Sequence, residues 1–200
     1  MALERIWNKD ALERRVETSL GSFNVTIPGE ALKRYRSSLD GNWLIYSTMV
    51  TDIRTVCPLQ DMASTLGKNF AAKVYSYVAT QKRNKLDKIA DSTSDIEAIF
   101  DMYKIDDEYQ HPPNKAPDSA EKAEEDRIAG AKMAAEQTEF VQNIQDMFYE
   151  FVRTGELPQN KDVSQGMYTV DAEITTQKDY PNCDFWKNTK NIVPTFANLD

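Results

Sequence analysis

Apolar positions along this chain recur mostly at helical spacing, with one exception. Leu32, Tyr35 and Leu39 fall three and four residues apart and predict a short helix over 29–39. An Asp40-Gly41-Asn42 turn closes it. From Trp43, the positions Leu44, Ile45, Met49 and Val50 predict a second helix that fades at Thr51-Asp52. Pro58 suits a first helical residue, and Leu59, Met62, Ala63, Leu66 and Phe70 then line one face of a third helix. The longest stripe is Ile128, Met133, Phe140, Val141, Ile144, Met147, Phe148, Phe151 and Val152. It predicts a long helix opened by Asp118 and Glu121 as a capping box and stopped after Arg153 by Gly155 and Pro158. Its first half, rich in Ala and Glu, is expected to project into solvent. The Met and Phe stripe reads as core rather than as a cofactor box.

The exception is 73–79, where Val74, Ser76 and Val78 alternate with Tyr75, Tyr77 and Ala79. Aromatic and β-branched types dominate, so this is the best strand in the chain. Both of its faces carry apolar residues, and a strand covered on both sides needs neighbours. Only 172–176 offers another, weaker one. The remaining stretches are polar. Residues 1–28 form a poorly defined N-terminal segment in which 20–27 could make a short strand or a turn. Residues 106–118 are a polar, proline-rich loop. The tail places Cys183, Phe185 and Trp186 close together, an aromatic group expected to pack down.

Composition narrows the classes. The 200 residues are one domain's worth of chain, 40% apolar and 28% charged. A net charge of −8 argues against nucleic acid or an anionic membrane as the main partner, because both need clustered cations. The densest basic stretch, Lys82, Arg83, Lys85 and Lys88, reads as a solvated loop or face. No apolar run reaches transmembrane length, and the charged N-terminus lacks the apolar centre of a signal peptide. Read literally, the chain stays inside the cell; alternatively Met1 is not the true start. Cys57 and Cys183 fit either two buried thiols or a disulfide.

The chemistry-bearing motifs are missing. The nucleophile turn of an α/β-hydrolase needs two glycines four apart, and none of the seven glycines has that spacing. The same spacing excludes the phosphate-binding loop and the dinucleotide fingerprint. The one histidine, His111, lies between Gln110 and Pro112-Pro113 in the polar loop, where nothing in the sequence orients or shields it as a base. One histidine cannot complete a zinc site with the two cysteines. The acidic clusters Asp106-Asp107-Glu108 and Glu124-Glu125-Asp126 lack calcium-loop spacing. No metal or cofactor is expected.

Four short motifs nevertheless fall in a recognisable order. Asp52-Ile53-Arg54-Thr55-Val56-Cys57-Pro58 leads into a helix, and Val74-Tyr75-Ser76-Tyr77 follows. Later come Phe151-Val152-Arg153-Thr154-Gly155 and then Cys183-Asp184-Phe185-Trp186. Together, over 31–200, they resemble the C-terminal third of the type-B carboxylesterases and cholinesterases. The resemblance implies an α/β fold: the C-terminal portion of an α/β-hydrolase, mostly helical with a small remnant of sheet. It implies one partial carboxylesterase-like domain over 1–200. It implies a Cys57–Cys183 disulfide, whose long loop would restrict the unfolded chain by about 4–5 kcal/mol on the entropic model. A secretory, extracellular route follows from the family, which would make Asn24, in Asn24-Val25-Thr26, a glycan acceptor.

The same resemblance locates a loss. Family enzymes carry the catalytic histidine in an H-G-x-[DE]-[IL] segment, matched here by Ser92-Thr93-Ser94-Asp95-Ile96. Ser92 stands at the histidine position, and serine cannot accept and return a proton near neutral pH. The nucleophile, the oxyanion glycines and the acidic triad member of the family lie upstream of the segment that these residues resemble. Three readings follow. The first is a truncated, catalytically inactive carboxylesterase-like protein, not an enzyme, acting as a secreted binding or interaction protein. The second is the C-terminal part of a carboxylic-ester hydrolase whose nucleophile lies upstream. The third is an unrelated helical soluble protein. Separated from its parent fold, the segment would leave a strand edge open, so self-association or a protein partner at that edge is expected.

Overall fold

The computed structural model describes residues 8–39, 41–83, 89–105, 119–157, 167–177 and 180–188. The chain divides into two compact units, one formed by Met1–Ser76 with Lys178–Asp200 and the other by Tyr77–Gln177. The loop 106–118 with His111, and the basic residues Lys85 and Lys88, lie outside the described residues.

The first unit is helical. Its α1, Lys9–Leu20, begins at Asn8, whose Oδ1 accepts from the Ala11 amide at 2.8 Å. Leu12, Val16 and Leu20, four residues apart, are its buried stripe. Residues 9–20 are thus helical where the sequence pattern left 1–28 poorly defined, and of the two readings of 20–27 the turn, not the short strand, is the one found. The stripe is one residue wide, and the charged positions around it hide it from composition. Residues 21–26 turn the chain, and α2, Ile27–Arg36, follows with Pro28 in its first turn and Ala31, Leu32 and Tyr35 buried.

Helix α3, Asn42–Thr51, is apolar nearly all round, as a helix packed on several sides must be. It does not fade at Thr51-Asp52. A π-helical turn, Asp52–Val56, carries it directly into α4, Cys57–Asn69, with Pro58 in that helix's first turn. The apolar face expected on the third helix exists but is not core: Leu59, Met62 and Phe70, just past its end, are exposed, and α4 buries Cys57 and Gln60 instead. Short α7, Cys183–Asn188, packs against the π-helical turn and α4.

The second unit sets a small mixed sheet against helices, so the molecule is mostly helical with a three-stranded remnant of sheet. Strand β1, Tyr77–Ala79, pairs in parallel with β2, Met167–Val170, which pairs antiparallel with β3, Ile174–Gln177. The order is β1-β2-β3, with Tyr77 opposite Tyr168 and Tyr168 opposite Thr176. The strand expected over 73–79 is therefore cut to its last three residues, the length over which β2 can pair. The sequence pattern missed β2 and placed β3 two residues early.

Helix α5, Ser94–Ile99, and the 35-residue α6, Ala120–Thr154, complete this unit. Ser119, rather than Asp118, caps α6: its Oγ accepts from the Lys122 amide at 3.2 Å. Gly155 ends it in the left-handed region at φ 74°, its amide donating to the Phe151 carbonyl at 2.8 Å. Gln137, Phe140, Ile144 and Met147 are buried, whereas Ile128, Phe151 and Val152 at the two ends of the stripe are exposed. Edge-to-face contacts of Tyr103 with Phe140 and of Tyr77 with Phe148 lock the middle of α6 to its neighbours.

Candidate functional site

Two places gather the residues to which the sequence assigns roles, one in each unit. In the first unit the Asp52–Pro58 motif meets the Cys183–Trp186 motif. The Cys57 and Cys183 sulfurs lie at disulfide distance, 1.96 Å, with their Cα atoms 5.2 Å apart. One helical turn beyond Cys183, the Trp186 indole Nε1 donates to the Tyr35 hydroxyl at 2.8 Å. That hydroxyl in turn donates to Asp52 Oδ2 at 2.5 Å. The three side chains come from α7, α2 and the π-helical turn, and none is more than 1% exposed.

The relay is electrostatically unusual because no cation among the described residues answers the carboxylate. Asp52 Oδ1 has no donor in hydrogen-bonding geometry; the Asn182 side chain beside it favours the charged form, as does Tyr35. Burial outweighs both and pushes the Asp52 carboxyl up to about 7. Burial, and then the Asp52 charge, also pushes the Tyr35 hydroxyl far above its ordinary value. Tyr180, half-buried nearby, is raised for the same two reasons. The ion pair of this region is peripheral. Arg34 lies against Asp184 at 2.8 Å and over the Phe185 ring, and Arg34 holds the Asp184 carboxyl below its usual range.

In the second unit residues 91–93 form the turn that leads into α5. Ser92 is exposed there. Thr93 donates its amide and its hydroxyl to Asp91 Oδ1, at 3.1 and 3.2 Å. Ser94 is fully buried with its Oγ unpaired. Asp95 Oδ2 accepts from the Tyr77 hydroxyl of β1 at 2.7 Å; burial, then this bond, raise the Tyr77 hydroxyl well above its ordinary value. Arg83 joins Glu97 at 2.6 Å and Asp91 at 3.8 Å and lies over the Tyr103 ring. The carboxylates around Ser92 are thus engaged in holding β1, Arg83 and α5 together. The exposed hydroxyl at 92 cannot accept and return a proton near neutral pH.

No protein-family model, no curated protein and no solved structure matches this chain.

The other assigned position, Asn24, sits in the exposed turn between α1 and α2, where its Oδ1 accepts from the Thr26 amide and hydroxyl at 3.0 and 3.1 Å. An open groove of about 630 Å³ lies between α1 and α2, with Glu13, Glu17, Lys33 and Arg36 on its walls. None of the assigned residues lines it. Among the described residues no cluster of His, Cys, Asp and Glu could hold a metal, and no helix is long and apolar enough to cross a membrane. Sequence reasoning missed Tyr35 as a member of the joint. Its position in an apolar stripe marked it as core, and nothing in the stripe shows where its hydroxyl must go.

Proposed function

We propose that this chain is a carboxylesterase-like protein without a working catalytic centre, routed through an oxidising compartment and acting by binding another protein. The observation that carries the reading is the joint in the first unit. Two short motifs, whose cysteines are 126 residues apart, come together there as the resemblance implies. Asp52 and Cys57 belong to one motif, and Cys183 and Trp186 to the other. The loss of catalysis is supported by Ser92, a side chain with no base chemistry at the position of the family's histidine. Binding is supported by large apolar side chains left in solvent in each unit, Leu59, Met62 and Phe70 in one and Ile96, Phe100 and Met102 in the other.

The test is a chromogenic short-chain ester offered to the purified chain. The reading expects the buffer rate, unchanged in Ser92→His because the family's nucleophile is not among these residues. Turnover by the unmodified chain sinks it. The route is tested separately on protein recovered from a secretory host. Denatured, it should show no reactive thiol, and a glycosidase should lower its mass unless Asn24 is changed to Gln. Two free thiols would remove the disulfide and with it the argument for that route.

A further inference from the structure

We propose that Asp52, Tyr35 and Trp186 form a proton-controlled latch that holds α7 on the π-helical turn, beside the Cys57–Cys183 bridge. The proposal does not depend on the functional reading above.

The geometry comes first. A carboxylate taken out of water is tolerated when a cation or several donors meet it; otherwise it keeps its proton. Asp52 is 1% exposed, its Oδ2 accepts from Tyr35, the Asn182 side chain lies beside it, and its Oδ1 has no donor in bonding geometry among the described residues. The groups that face it are Tyr35 from α2 and Tyr180 and Asn182 from the segment ahead of α7. The charged groups of the surrounding elements, among the described residues, are turned elsewhere. Arg34 of α2 is engaged by Asp184, and Lys187 of α7 donates to Gln60 of α4 at 3.1 Å. Asp61 and Lys68 of α4 and Arg54 of the turn itself are exposed. Helix α3 has no Asp, Glu, Lys, Arg or His, and its Tyr46 hydroxyl accepts from Arg15 on α1.

With its proton, Asp52 is neutral, and the relay from Trp186 through Tyr35 ends on its carboxyl without burying a charge. Without it, a lone charge is buried under α7, and the least costly relief is for Trp186 and its turn to give way to water. The bridge does not prevent this. It fixes Cys183 at the first residue of α7, whereas Trp186 lies one turn further on. The raised proton affinity of the Asp52 carboxyl agrees with this direction. The latch therefore tightens as pH falls and loosens as pH rises.

The chain has three tryptophans, so Trp7→Phe with Trp43→Phe leaves Trp186 as the reporter. The expected result is a one-proton shift of its emission centred near pH 7, with faster amide exchange over 183–188 on the basic side. In Asp52→Asn the titration should vanish and the closed emission persist at every pH. An emission without a titration, or the same titration in Asp52→Asn, overturns the latch. If Asp52→Asn fails to fold, the ¹³C shift of the Asp52 carboxyl in the parent chain decides. A group still protonated close to neutrality supports the latch, and one that titrates in the usual carboxylate range overturns it.

Discussion

A tyrosine hydroxyl and a neighbouring amide do not offset the removal of a carboxylate from water, and the position of Asp52 has a measurable consequence for stability. The carboxyl is raised from an ordinary 3.8 to about 7 in the folded chain, so the folded state binds the proton more tightly than the unfolded state. The stability this contributes is fully present below about 3.8 and is lost as pH rises through about 7. The full swing has a ceiling of about 4 kcal/mol. Urea unfolding of the first unit should therefore show stability falling from mildly acidic to neutral pH and levelling beyond. Asp52→Asn should flatten that slope. The opposite slope, with stability rising toward neutrality, would show that another carboxylate dominates. Ser92 stands in contrast. Being exposed, Ser92→His should shift stability by less than about 0.5 kcal/mol, read from the same denaturation curves.

At the scale of elements, the glycine stop of α6 was legible and sheet pairing was not. Gly155 was assigned from its place after the stripe, and its φ of 74° explains the choice, since any side chain there is strained. Gly155→Ala should cost about 1 kcal/mol in unfolding free energy even though a Cβ would meet nothing within 4 Å. An unchanged midpoint would mean that α6 frays back before Gly155 is felt. The π-helical turn Asp52–Val56 had no signal, because apolar spacing continues through it and only the hydrogen-bond register changes. Strand 73–79 had the strongest β pattern in the chain, yet only Tyr77–Ala79 pairs, because a strand is made by its neighbour and β2 is four residues long. Among the described strands β1 pairs on one side only, which makes self-association testable: light scattering should show a concentration-dependent rise in mass, and a monodisperse monomer would count against it.

For the whole molecule, the long-range tie is the bridge between Cys57 and Cys183. Replacing both by Ser should lower stability by about 2–5 kcal/mol, measured by thermal or denaturant unfolding. The loss should concentrate in the first unit, where both residues and the elements they join lie. Equal loss in the second unit would mean that the two units unfold as one.

What the sequence determined by itself was local or motif-based. It held the long amphipathic α6 and its glycine stop, the helices around Tyr35 and Trp43, and the two short motifs that carry Cys57 and Cys183. These are legible because period, cap and motif are written within a few residues of one another. Helix α1 was not read, because three apolar residues among charges carry little signal until another helix covers them. Tertiary structure alone decided which stripes became core and where the polar atoms inside them found partners. Leu59 and Met62 have the same spacing as buried residues yet face water, since nothing described packs over them. Burial of Asp52 is the sharpest instance. Its place in a motif was visible in the sequence, whereas its lack of a cation depends on which side chains three separate elements turn toward it.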